Sequence, residues 1–164
     1  MEQNKIEIQL GSGLSADTPL IIGDELKSIR SVFLAGSVVP TYGLNQQLVP
    51  VETEITSIPK EVYVSEQWEL YFSNGLKLIC TPSTIIYGAT GPVAACNIHP
   101  KDCILGAYLK SDSGEIRGRV FECVNSQKKT TVLAEPMYYF ISKDTNILIP
   151  NFANNELTFI CVHQ

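Results

Sequence analysis

The sequence predicts an all-β domain built from hairpins with little helix. Three observations carry that expectation. Apolar side chains alternate with a period of two, turn signals recur roughly every 8–12 residues, and no long helical period is visible. The 9 prolines and 11 glycines are spread along the chain as punctuation and not gathered into a linker. At 164 residues the chain matches one domain of about 150 residues, and 45% hydrophobic residues suffice for a sizeable core.

The elements follow in order. Residues 5–10 place Ile6, Ile8 and Leu10 on one face, which predicts an N-terminal strand within an arm of residues 1–12, ahead of a β domain over residues 13–164. Residues 36–50 are the least regular and read as a surface loop. Trp68, Leu70 and Phe72 alternate before Ser73-Asn74-Gly75, and Leu76 and Leu78 alternate after it, an Asn-Gly hairpin. Further strands are expected over residues 103–110, 115–124, 130–141 and 156–162. Turns at Lys110–Glu115 and Asn125–Lys129 would make two more hairpins.

Composition narrows the function classes. Net charge is 12 − 17 = −5, and no basic cluster appears beyond Lys128-Lys129, so a nucleic-acid partner is not expected. The uncharged stretches Ser31–Val51 and Leu78–Pro100 are broken by prolines and polar residues. Neither is a continuous apolar span of about 18 residues, and the N-terminus has no apolar signal core, so no membrane contact is expected and synthesis is expected in a cytoplasm. Five cysteines are an odd count; Cys80, Cys103 and Cys161 lie inside apolar runs and read, with Cys96 and Cys123, as reduced, buried thiols.

Only His99 and His163 are available as an imidazole base, and neither sits in a nucleophile motif. Gly11-Ser12-Gly13 lacks the third glycine and the helix of a phosphate loop. No cofactor is expected and no small-molecule substrate is identified. Cys96, His99 and Cys103 offer three metal-ligating types within eight positions, which makes a small zinc-binding domain one alternative. Their spacing matches no common zinc pattern, so a turn around Pro100 flanked by two core thiols is the preferred reading.

Three segments in order resemble the hedgehog/intein (Hint) family of self-cleaving domains. The first is Gly13-Leu14-Ser15-Ala16-Asp17-Thr18-Pro19 with the apolar Leu20-Ile21-Ile22 after it, similar to the family's opening of a nucleophilic cysteine, leucine, two small residues and Asp/Thr-Pro. The second runs from Trp68 to Thr84 and is similar to the hairpin that ends in Thr-Pro-x-His; the stretch from Gly91 to Asp102 resembles the block that follows. The third comprises Met137-Tyr138-Tyr139-Phe140, Thr145-Asn146-Ile147 and the closing Phe159-Ile160-Cys161-Val162-His163-Gln164, similar to strands that end in Val-His-Asn.

The resemblance implies a compact Hint-like β-fold in which residues 13 and 164 meet at one site. It also implies a degenerate site. Gly13 stands at the nucleophile position and has no side chain to attack with. Thr84 stands for the polarising histidine, Tyr139 for an aspartate, Thr145 for a second histidine and Gln164 for the terminal asparagine; only His163 is kept. The expectation is therefore a module without catalytic residues that acts through a protein partner or a second copy, with a phage virion or other assembly as its setting. The competing expectation is residual self-processing with Ser12 as nucleophile and His163 as acid or base.

Overall fold

The longest elements are two strands that pair along most of their length. In the computed structural model, which describes residues 11–164, β1 is Gly13–Ser15, β2 Pro19–Ile22, β3 Glu25–Ser28, α1 Ile29–Ala35, β4 Val39–Leu44 and β5 Pro50–Phe72. Then come β6 Lys77–Cys80, β7 Ile85–Gly88, β8 Gly91–Ala94, a 3-10 turn at Ala95–Asn97, β9 Cys103–Lys110, β10 Glu115–Ser142, β11 Asn146–Ala153 and β12 Glu156–His163. Strand accounts for 68% of the described residues and helix for 6%. The expected strand over residues 5–10 lies outside the described residues.

A ten-stranded antiparallel sheet runs β11-β12-β7-β9-β10-β1-β6-β5-β4, with β8 on β7, and β2–β3 forms a separate ribbon. Strands β5 and β10 pair from Phe72↔Cys123 to Ile55↔Ser142, and four register shifts bend the ribbon around the core. The β5–β6 and β9–β10 hairpins form where the Asn-Gly and Lys110–Glu115 signals place them.

The turn expected at Asn125–Lys129 does not form. That segment is the middle of β10, where Ser126 pairs with Leu70 and Lys129 with Gln67. The charges that read as turn residues are cross-strand partners: Lys128 Nζ meets Glu66 at 3.0 Å and Lys129 Nζ meets Glu69 at 3.6 Å. The expected loop over residues 36–50 is also corrected. Its Val39–Leu44 portion is β4, in register with Pro50–Ile55, and only Asn45–Val49 forms the connecting turn.

What the sequence pattern did not reveal is α1, seven residues capped by Ser28, whose Oγ accepts from the Ser31 N–H at 3.2 Å, and closed by Gly36 at φ 69°. It buries Ile29 and Val32. The main core gathers Leu14, Leu70, Leu78, Ile86, Tyr138, Phe140 and Ile160; a second cluster holds Leu44, Leu148, Phe159 and Cys161. Successive residues of β12 therefore face two cores, which is why Phe159-Ile160-Cys161-Val162 is apolar without alternation. Asn146 pins β4 to β11: its Oδ1 accepts from the Leu44 N–H at 2.7 Å and its Nδ2 donates to the Leu44 carbonyl at 2.8 Å.

All five cysteines are free thiols, but only three are buried. Cys103 is exposed and Cys96 half-buried, because β9 begins at the sheet's rim, so the expectation of five buried thiols holds for Cys80, Cys123 and Cys161 alone. Among the described residues no helix is long and apolar enough to cross a membrane.

Candidate functional site

Strand β1 delivers residue 13 to the centre of the sheet, between β10 and β6, in register with Tyr139. The Gly13 N–H donates to Thr84 Oγ1 at 3.1 Å, and Thr84 Oγ1 donates to the Gly13 carbonyl at 3.0 Å. That carbonyl also accepts from the Thr81 N–H at 3.0 Å. Thr81 Oγ1 lies 2.8 Å from Thr84 Oγ1, and with Thr81 as donor the Thr84 hydroxyl is saturated by one donated and two accepted bonds. The Thr81-x-x-Thr84 pair holds the peptide at residue 13 on both sides.

Residue 13 has no room for a side chain. A Cβ built on Gly13 would lie 2.8 Å from Thr81 Cγ2 and 2.9 Å from Tyr139 Cζ, both inside van der Waals contact. Tyr139 is 4% exposed, so its ring is held in the place a side chain on residue 13 would occupy.

The second half of the site lies next door. Ser12 is fully buried; its Oγ accepts from the Ile85 N–H at 2.9 Å and donates to the His163 carbonyl. His163 Nδ1 lies 2.8 Å from the Gln164 carbonyl oxygen, and the ring stands 5.7 Å from that of Tyr87, tilted 55°. Gln164 is anchored twice: its N–H donates to the Thr145 carbonyl at 2.7 Å and its Oε1 accepts from the Ser142 N–H at 2.9 Å. Thr145, at φ 66°, turns its hydroxyl back to the Asp144 carbonyl at 2.6 Å. A Cβ on Gly11 would stand 2.9 Å from the Gln164 backbone carbon, so the chain entering β1 and the chain leaving β12 touch.

The other five positions singled out in the sequence thus lie around the segment 11–13, which holds Gly13 itself. Gly13, Thr84 and Tyr139 form one cluster; Thr145, His163 and Gln164 form another, and Ser12 joins them. Thr81 was missed, although its i,i+3 spacing to Thr84 within Thr81-Pro82-Ser83-Thr84 was a legible signal. The partners of the Ser12 hydroxyl are the Ile85 N–H and the His163 carbonyl.

The three residues of the zinc alternative are not brought together. Among the described residues no three His, Cys, Asp or Glu side chains are grouped to hold an ion. Cys96 lies in the 3-10 turn, Cys103 opens β9, and His99 is exposed, its N–H donating to Asp102 Oδ2 at 2.8 Å. Cys96, His99 and Cys103 are a turn around Pro100, with Cys103 on its surface.

No protein-family model matches the chain, and no curated protein matches it in sequence. Solved structures do. A bacterial intein-like domain from Clostridium thermocellum superposes with TM-score 0.71 at 17% identity over 93% of this chain and 98% of that one. A DnaB intein from Synechocystis sp. PCC 6803 gives 0.69 at 13% identity over 93% and 98%, and a DnaX mini intein from Spirulina platensis gives 0.67 at 15% over 93% and 99%. The chain has the Hint fold of inteins and intein-like domains.

Proposed function

We propose that the chain is a non-catalytic Hint-fold domain that acts by holding a protein partner or a second copy of itself. One observation carries the reading: residue 13, which the sequence resemblance sets at the nucleophile position, is a glycine whose missing side chain is replaced by the Tyr139 ring and the Thr81 methyl group. Several of the remaining polar groups are taken up by backbone hydrogen bonds. Thr84 holds Gly13, Ser12 holds β7 and β12, and Gln164 holds the Ser142–Thr145 turn. Each ties chain segments together.

An apolar projection supports the binding half of the reading. Between the rows Thr130↔Glu66 and Glu135↔Val64, four residues of β10 stand against the single Ser65 of β5. The bulge throws Val132 and Leu133 outward, 101% and 79% exposed, and Tyr63, paired with Pro136 just past it, is 61% exposed. Exposed apolar groups gathered in this way mark contact surfaces. A virion or other assembly is the proposed setting.

The test is the intact mass of freshly purified chain, incubated with and without a small thiol. The expected mass is that of the full sequence at every time point. Release of residues 1–12, or a loss at the C-terminus that His163→Ala prevents, would make the chain an active processor.

A further inference from the structure

The end of β12 opposite His163 borders a cleft. Strands β9 and β12 pair through Ile160↔Gly106, Phe159↔Ala107 and Thr158↔Tyr108, and there their ladder stops. The β9–β10 hairpin continues to Lys110↔Glu115 and the β11–β12 hairpin to Ala153↔Glu156. The two hairpins splay beyond Tyr108 and Thr158, the Ser73–Gly75 turn closes the third side, and the space between is about 990 Å³. Seven residue steps along β12 at about 3.4 Å set it roughly 24 Å from His163.

The cleft's charges are already matched. Arg119 Nη1 meets Glu156 Oε1 at 2.9 Å, and Lys110 Nζ lies 3.9 Å from Asp112 Oδ2. An anionic ligand would have to break a pair inside a chain of net charge −5, so the chemistry favours a neutral one. Aromatic rings line the cleft too. The Arg119 guanidinium lies 3.9 Å from the Tyr108 ring centroid and 5.9 Å from that of Phe121, and Phe152 stands 63% exposed at the rim. Aromatic faces carry negative charge density and attract the polarised C–H face of a sugar ring.

Polar groups complete the site. Asn154 and Asn155, at φ 54° and 59°, form the left-handed turn of the β11–β12 hairpin, and their side chains have no hydrogen-bond partner among the described residues. Asn74 is fixed by a 3.0 Å bond from its Nδ2 to Thr158 Oγ1. An inserted peptide strand is disfavoured, because the splayed edges offer two residues each, Leu109-Lys110 and Glu156-Leu157, too few for a ladder.

We infer that this cleft binds a neutral oligosaccharide, with a pyranose face on Phe152 and ring hydroxyls on Asn154 and Asn155. A volume near the top of the 300–1,000 Å³ range of ligand pockets suits several sugar units. The test titrates the ¹⁵N-labelled full chain with cellohexaose, maltohexaose and chitohexaose, and separately with a heparin hexasaccharide and an uncharged hexapeptide. The expected result is saturable amide shifts confined to residues 73–75, 108–112 and 152–158 with at least one neutral hexaose. Phe152→Ala should weaken that binding about tenfold. Asn154→Gly with Asn155→Gly, which keeps the turn and deletes both amides, should weaken it as well. No saturable shift below about 10 mM of any neutral hexaose, shifts unchanged in Phe152→Ala, or binding of the heparin fragment or peptide alone would overturn the inference.

Discussion

Strand β12 ends in two different ways. At His163 it meets a site packed until not even a methyl group fits on Gly13, whereas at Glu156 it parts from β9 and leaves about 990 Å³ open. Both ends belong to one sheet, and both depend on glycines that let chains approach. The closed end turns that approach inward, filling the vacated volume with the Tyr139 ring. The open end uses it at the root of the cleft, where Gly106 lets the Phe121 ring lie over β9. The difference teaches that a sheet holds its shape through the close contacts themselves, while function depends on which end still has unfilled space.

Gly106→Ala is the change expected to do most damage. A Cβ there would lie 2.1 Å from the Phe159 carbonyl oxygen, a backbone atom in the β9–β12 ladder, and 2.8 Å from the Phe121 ring. Because backbone cannot rotate away, the strands must separate, and the expected loss is at least about 3 kcal/mol in urea unfolding. A loss below about 1 kcal/mol would mean that the root of the cleft yields and its shape is not set by Gly106.

Gly13→Ala should cost less, about 1–3 kcal/mol, because its obstacles are side chains that can shift. The comparison sharpens in a double-mutant cycle with Tyr139→Ala: in that background Gly13→Ala should cost less, since only the Thr81 methyl group still opposes the new Cβ, giving a coupling of about 1–2 kcal/mol. The same logic applies to chemistry. Gly13→Cys alone should not cleave, whereas Gly13→Cys with Tyr139→Ala and Thr84→His supplies a nucleophile, room for it and an acid–base group worth about 10²–10⁴ in rate. Zero coupling, or cleavage by Gly13→Cys alone, would remove Tyr139 as the plug.

Much of the closed end was legible in the sequence, and almost none of the open end. Gly13, Thr84, Tyr139, Thr145, His163 and Gln164 were all marked by motifs at fixed offsets, and the sheet indeed brings them around residues 11–13. The plug was not legible, because nothing in Met137-Tyr138-Tyr139-Phe140 says which ring points at residue 13; register with β1 decides that. The cleft escaped for a related reason. Its walls are three hairpin turns distant in sequence, and its depth depends on where one ladder stops. The helix α1 was hidden by its seven-residue length, and the Asn125–Lys129 turn was misread because cross-strand Glu66 and Glu69 lie some 60 residues away.

The smallest effect separates the closed end by pH. Cys80 pairs with Leu14 of β1, directly beside Gly13, and is fully buried. Burial pushes its thiol up to about 12 from an ordinary 9.0. The folded chain therefore holds this proton above pH 9 while the unfolded chain releases it. Stability that is fully present below about pH 9 is lost as pH rises toward 12. At pH 10 the loss is about 1 kcal/mol for this thiol. Cys80→Ala lowers stability at every pH by removing buried volume, yet it should flatten the fall between pH 8 and pH 10 by about that amount. Urea midpoints at the two pH values measure it. Equal slopes for wild type and variant would mean that the thiol beside Gly13 is reached by water, and that the closed end is less closed than the contacts around Gly13 require.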